Sequence, residues 1–209
     1  MTHAIQDVVV RDIEPVDTGD ITEVLVAAMS DGPVAHWMSP DAADRRADSP
    51  AYFAIFAEHA VRFGEVYVTH DPLDGRLSGV ALWFPLTRAI PPPVDYDRRL
   101  KEAAGPAFDR ACRLDALLDE EHPIVPHHYL AFLAVRPERQ NLGIGSSLLA
   151  RHHHRLDRAG LPAYLEANHP RNRELYLRHG YESRPPIMLP DGPPVWPMWR
   201  PAPELLPAV

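Results

Sequence analysis

One cysteine, one lysine and only 11 glycines occur in the 209 residues of this chain. The lone Cys112 excludes an internal disulfide, suits a reducing compartment and is expected in the core. With Lys101 as the only lysine, the chain offers just two kinds of its own amine, that side chain and the N-terminus. No apolar run approaches the roughly 18 residues of a membrane span. Val8-Val9-Val10, between polar neighbours, is too short for the apolar region of a signal peptide, so a cytoplasmic protein with no membrane partner is expected. Basic residues are outnumbered 21 to 29, for a net charge of -8 and a pI near 5.8, which argues against a general nucleic-acid surface. A G-x-G-x-x-G fingerprint, a G-x-x-x-x-G-K-[ST] loop and a G-x-S-x-G elbow are all missing, which removes the usual dinucleotide, nucleotide triphosphatase and serine hydrolase readings.

An apolar content of 45% with 24% charged residues is ordinary for one globular enzyme domain spanning 1–209. Proline is abundant, 24 residues or roughly 11% against a typical ~5%. It concentrates in loops such as Pro91-Pro92-Pro93 and in a proline-rich strand and tail over 186–209. A first strand is expected over 8–13, then a helix capped near Asp17 that carries Ile21, Val24, Leu25 and Ala28. Trp37 and Met38 fall in a loop, and 50–63 reads as a helix. Residues 66–68 and 77–84 read as a hairpin around Asp74-Gly75. Segments 95–104 and 108–118 read as helices broken at Gly105-Pro106, and no repeat is visible.

The most informative stretch is Ala134-Val135-Arg136-Pro137-Glu138-Arg139-Gln140-Asn141-Leu142-Gly143-Ile144-Gly145-Ser146-Ser147. An apolar strand ends at Val135, Pro137 stops it, and Ile144, Leu148, Leu149, His152 and Leu156 recur at helical spacing. Glycines 143 and 145 let the backbone approach a ligand closely and leave N–H groups near the positive end of the helix dipole, which suits a diphosphate. Downstream, Gly160-Leu161-Pro162-Ala163-Tyr164-Leu165-Glu166 reads as a turn and buried strand. Residues 170–181 then read as a short helix closed by Gly180.

The Q-x-x-G-x-G of Gln140 to Gly145, preceded by L-x-V-x-P, resembles the coenzyme A pyrophosphate loop of the GNAT-type N-acetyltransferase superfamily. Leu175-Tyr176-Leu177-Arg178-His179-Gly180-Tyr181 resembles its L-Y-x-x-x-G-[FY] signature at the expected distance. Ala81-Leu82-Trp83, Pro170-Arg171-Asn172 and Trp196-Pro197-Met198 add a similarity to puromycin N-acetyltransferase-like members, close over about the last 80 residues and loose over the first 120. The resemblance implies an α/β GNAT-type fold with a mixed, splayed central sheet flanked by helices, and acetyl-coenzyme A bound by a core over 126–181. It implies backbone contacts from Leu133, Ala134 and Val135 to the pantetheine arm. Gln140, Asn141, Leu142, Gly143, Ile144, Gly145 and Ser146 would hold the diphosphate, with Asn172 and Tyr176 completing the site.

The chemistry then expected is direct transfer of an acetyl group from the thioester to an amine, which needs a base, carbonyl polarisation and stabilisation of the departing thiolate. The family's acid maps onto Tyr176, whose other role would be packing. Where relatives often carry a glutamate at the start of the loop strand, this chain has His127, His128 and Tyr129. The base is therefore sought at His128 or at Glu166, and either could instead be an ordinary strand-end residue. His152-His153-His154 is not read as a metal site, because successive helical residues point about 100° apart. Arg151, Arg155 and Arg158 are read as a solvated helix face. The acceptor is expected to be a small-molecule amine held by Trp37, Tyr52, Phe53, Trp83 and Phe84, which could equally be core. The rivals are a non-catalytic coenzyme A sensor and a protein N-acetyltransferase, and the chain would act as a monomer or homodimer.

Overall fold

The computed structural model describes residues 11–12 and 17–203. Of the strand expected over 8–13, only Arg11–Asp12 (β1) lies within the described residues, paired with Tyr67 and Val68. The remaining strands are β2 (Glu65–His70), β3 (Leu77–Leu86), β4 (His127–Val135), β5 (Ala163–Ala167), β6 (Glu182–Ser183), β7 (Ile187–Met188) and β8 (Pro194–Arg200). The helices are α1 (Thr18–Met29), α2 (Pro33–Met38), α3 (Ala42–Phe63), α4 (Tyr96–Ala104), α5 (Phe108–Glu121), α6 (Ile144–Ala159) and α7 (Pro170–Arg178). Seven strands run in the order β1-β2-β3-β4-β5-β8-β6, and β7 pairs with the start of β8. All pairings are antiparallel except β4 with β5, so the sheet is mixed.

Each face of the sheet is covered. On one side Ile21, Val24 and Leu25 of α1 and Phe53, Ala57 and Ala60 of α3 pack on Val66, Val68, Val80, Leu82 and Phe84. On the other side Leu148, Leu149 and Leu156 of α6 and Tyr176 of α7 pack on Ala81, Trp83, Leu130 and Leu165. These are the helical spacings visible in the sequence, and their burial is what holds both helices to the sheet. Among the described residues, no helix is long and apolar enough to cross a membrane.

Three expectations change. Trp37 and Met38 end the helix α2 rather than lying in a loop; Pro33 at the first helical turn starts it, and the Trp37 indole N–H donates to the Pro190 carbonyl at 2.7 Å. Helix α3 begins at Ala42 and carries Pro50 inside it, because Asp41, nine residues ahead of that proline, caps the backbone N–H groups of Ala43 and Asp44. Cys112 is exposed rather than buried, since α5 packs through Ala111 and Leu114 and turns Cys112 to water.

Candidate active site

Strands β4 and β5 pair at only two positions, His128 with Ala163 and Tyr129 with Tyr164, and then diverge. The sheet therefore opens in a V toward the C-terminal ends of both strands. Arg136 donates its backbone N–H to the Ser78 carbonyl, at 2.9 Å. This sets the parity of the end of β4: Ala134 pairs with β3, while Leu133 and Val135 turn their backbone groups into the gap. A cleft of about 1030 Å³ fills the gap, in the size range of sites for large cofactors. Its walls include Leu133, Val135, Gln140, Asn141, Gly143, Ile144, Gly145 and Ser146 on one side and Asn172 and Tyr176 on the other. The α1–α2 connection closes its far end with Asp31, Gly32 and Pro33.

The loop shape explains this surface. Asn141 and Gly143 both adopt left-handed backbone, at φ 65° and 82°, which turns the chain abruptly into α6. Gly143 is the N-cap and has no side chain to satisfy the first turn, so the N–H groups at the start of α6 face the cleft at the positive end of the helix dipole. Gly79 of β3 permits the close seating of this turn, because a Cβ there would lie 2.8 Å from Ile144 Cγ2. Gln140 donates to the Val135 carbonyl at 3.1 Å, and Ser146 Oγ lies 3.1 Å from His179 Nε2. Of the cofactor residues expected from the motif, Ala134 and Leu142 are absent from the walls. The Ala134 side chain is buried against α1 and α3, and Leu142 projects into solvent.

Tyr176 is buried against Tyr181, with ring centroids 5.8 Å apart, yet reaches the cleft wall. Burial pushes its phenol pKa up, so it stays protonated. Glu166 lies on the opposite face of β5 and is not in the cleft wall. Its side chain is 6% exposed, and its Oε1 atom makes no hydrogen bond. His122 at the end of α5 approaches that oxygen to 3.7 Å, and the His122 ring packs on Tyr129 and Tyr164 at 4.8 and 4.9 Å. His122 and His127 are linked Nε2 to Nε2 at 3.2 Å. Sequence reading missed His122, Tyr129 and Tyr164, since no motif joins α5 to the strands.

A bulge decides which residues of β4 face which way. The β3–β4 register jumps from Leu82–Phe132 to Trp83–Leu130, leaving Ala131 as the extra residue. Tyr129, Ala131, Phe132 and Ala134 consequently face α1 and α3, while Leu130, Leu133 and Val135 face the α6 side. His128 falls on the α6 side as well, away from Glu166, and is buried rather than superficial. Its Nδ1 lies 3.1 Å from His152 Nε2, and His152 Nδ1 lies 3.1 Å from the Tyr67 hydroxyl, which donates to Glu65 Oε2 at 3.3 Å. With that hydroxyl proton committed to Glu65, His152 donates to Tyr67 through Nδ1 and accepts from His128 through Nε2. Burial lowers the pKa of both imidazoles, pushing His152 down to about 2.

Glu65, His128 and His152 bring potential ligand atoms within 4.8 Å of one another, so one residue of the triple-histidine tract does join donors from other elements. His128 Nδ1 and both His152 nitrogens are engaged in the hydrogen bonds above, and the Arg155 guanidinium pairs with both oxygens of Glu65. The cluster is thus a hydrogen-bonded network that already contains its cation. Trp83, expected at the acceptor, stacks on His152 at 4.0 Å within this same layer. Trp37 packs beneath β7 with Ile187 and Leu189. Phe53 and Phe84 belong to the α1–α3 core, and Tyr52 lies at its edge.

Residues 110–183 match the family described as acetyltransferase (GNAT) domain. The whole chain is similar to a crystal structure from Corynebacterium glutamicum described as histone acetyltransferase HPA2 and related acetyltransferase. The identity is 28% and the TM-score 0.75, covering 98% of this chain and 100% of the other. Arylalkylamine N-acetyltransferase 2 from Aedes aegypti shares the fold at 14% identity and a TM-score of 0.66, over 94% of this chain and 99% of its own. The ribosomal-protein-S18-alanine N-acetyltransferase from Escherichia coli does so at 14% and 0.58, over 96% and 97%. The splayed β4–β5 gap, the uncapped start of α6 and the α7 tyrosine all lie in the segment that matches the GNAT acetyltransferase family.

Proposed function

We propose that this chain transfers the acetyl group of acetyl-coenzyme A directly to a primary amine of a small molecule. The observation that carries the reading is the β4–β5 gap: backbone groups of Leu133 and Val135 that pair with no strand line it, and it leads to the uncapped N-terminus of α6. The pantetheine arm would extend β4 as a short strand partner, and the diphosphate would accept N–H bonds from the turn at 143–146. Tyr176 stands on the cleft side of β5 and Glu166 on the other face, just past the last β4–β5 pair. Glu166 accepts the amine proton as nitrogen attacks the thioester carbonyl, and Tyr176 donates a hydrogen bond to sulfur as the C–S bond breaks. His128 takes no part in this reading because the bulge turns it to the α6 side.

The aromatic character of the acceptor face supports a compact organic amine. Tyr52, Phe56, Tyr96, Tyr129 and Phe132 gather there and remain partly exposed. The similarity to puromycin N-acetyltransferase-like members is compatible with such an acceptor. The test is free coenzyme A thiol released with a panel of amines, each run against a protein-only blank. Because Lys101 is the only lysine, self-modification is confined to that side chain and the N-terminus and is easily subtracted. Thiol release with small amines supports the reading. Release with peptides or proteins alone would replace it with protein acetylation, and binding of acetyl-coenzyme A without release with any acceptor would leave a sensor.

A further inference from the structure

The acceptor face holds two carboxylates at opposite ends of an aromatic surface. At the inner end the Glu166 side chain is 6% exposed, the Tyr129 and Tyr164 phenols face its carboxylate, and its Oε1 makes no hydrogen bond. An unsatisfied buried carboxylate oxygen of this kind is costly unless a ligand completes it. At the outer end Asp115 of α5 accepts a hydrogen bond from the Tyr96 hydroxyl through Oδ2 at 2.7 Å, while Oδ1 accepts none among the described residues. Asp97 and Asp119 lie close enough to Asp115 to repel its charge, and among the described residues no basic side chain offsets it. Tyr52 connects the two ends: its phenol senses Asp115 on one side and neighbours Tyr129, which borders Glu166, on the other.

The surface between them is built to be covered. Phe56 packs at 5.2 Å on Tyr52, 6.1 Å on Tyr96 and 5.2 Å on Phe132, giving a continuous wall of ring edges and faces. Ala131, at the bulge in a central strand, is a small apolar residue that remains partly open to water. Aromatic faces flanked by carboxylates attract organic cations, and they disfavour anions and neutral polar groups.

Resting on the acetyl-transfer reading above, we propose that the acceptor is a dication, whose reacting amine meets Glu166 while a second cationic group is held by Asp115. An α,ω-diamine or a guanidinoalkyl amine has the required form: two positive ends and an apolar stem that lies along Tyr52, Phe56 and Phe132. Tyr96 positions the Asp115 carboxylate by holding Oδ2 and leaving Oδ1 for the ligand.

The experiment compares kcat/KM for putrescine, cadaverine and longer diamines with butylamine and pentylamine, following thiol release. The diamines should exceed the monoamines by about tenfold or more at one preferred spacing, as expected for one partly desolvated charge pair. Asp115→Asn, which keeps the shape and the Tyr96 contact, should cut the diamine-to-monoamine ratio by about tenfold. Tyr96→Phe should lower the same ratio by a smaller factor. Equal rates for diamines and monoamines, no preferred spacing, or a ratio unaltered in a folded Asp115→Asn protein would each overturn the second cation site while leaving amine acetylation standing. Absence of thiol release with every small amine would instead overturn the reading on which the proposal rests.

Discussion

Tyr176 and Gly145 are the two residues at which the acetyl-transfer reading is most exposed to test. Tyr176 is a protonated phenol at the cleft wall, and burial that raises its pKa makes complete proton transfer to a thiolate uphill, so in that reading it would act chiefly as a hydrogen-bond donor to departing sulfur. Tyr176→Phe should lower kcat on the order of 10²-fold with little change in KM for acetyl-coenzyme A; a loss confined to KM would assign the tyrosine to packing. At Gly145 a Cβ would make only ordinary contacts, 3.6 Å from Leu175 and 3.8 Å from Leu133. Gly145→Glu should therefore fold and yet place a carboxylate beside the diphosphate position, weakening acetyl-coenzyme A by about tenfold or more in calorimetry. Unchanged affinity would remove the loop from the binding site. These two residues were legible in the sequence because each belongs to a local motif whose spacing is set by the turn or helix it occupies.

At the scale of the element, the seating of α6 on β3 determines where its N-terminus points. Gly79 is the contact that allows it, with a Cβ falling within 2.8 Å of Ile144 and 3.0 Å of Thr69 Oγ1. Gly79→Val should push the turn away from the strand, costing about 1–3 kcal/mol by urea denaturation and lowering acetyl-coenzyme A affinity in the same variant. Full affinity in a destabilised protein would show that the loop keeps its place independently of this contact. The elements themselves were mostly readable: α6, β5 and α7 follow from 3.6- and 2-residue periodicity and from Gly160 and Gly180 in left-handed backbone at their ends. Helix α3 was read too short because its first turn is polar and Pro50 resembles a start signal. The bulge at Ala131 was invisible, since one extra residue in a strand leaves no compositional trace and yet reverses which of His128 and Tyr129 faces the acceptor.

Across the whole molecule, the buried histidines tie stability to pH. In the unfolded chain an imidazole titrates near 6.5, whereas burial pushes His152 down to about 2 and His153 to about 3. Between those values and about pH 6.5 the unfolded state therefore binds more protons, and the stability contributed by keeping these rings neutral is complete above about pH 6.5 and lost as pH falls. Between about pH 7.5 and pH 5 the two should together cost about 4 kcal/mol of unfolding free energy. Denaturant titrations at the two pH values measure this, and replacing both histidines by glutamine should flatten the difference. An equal pH dependence in parent and variant would mean that other groups carry it. The order of strands along the sheet also belongs to this scale, because it places α5, distant in sequence from β5, with His122 against Glu166.

The sequence by itself determined the glycine turn at 143–145, the helix that follows it and the tyrosine of α7, because those features depend on backbone conformation and periodicity within some twenty neighbouring residues. It also determined the balance of charge and the absence of a disulfide. Only the tertiary structure decided what lies opposite the cleft: which face of β4 each residue meets, that Trp83 stacks on a histidine layer instead of lining a pocket, that Tyr96 holds Asp115 and that Tyr129 meets Glu166. The physical reason is that this side is assembled from α3, α4, α5, β4 and β5, whose meeting depends on strand order and on one bulge, and neither leaves a periodic signal in the chain.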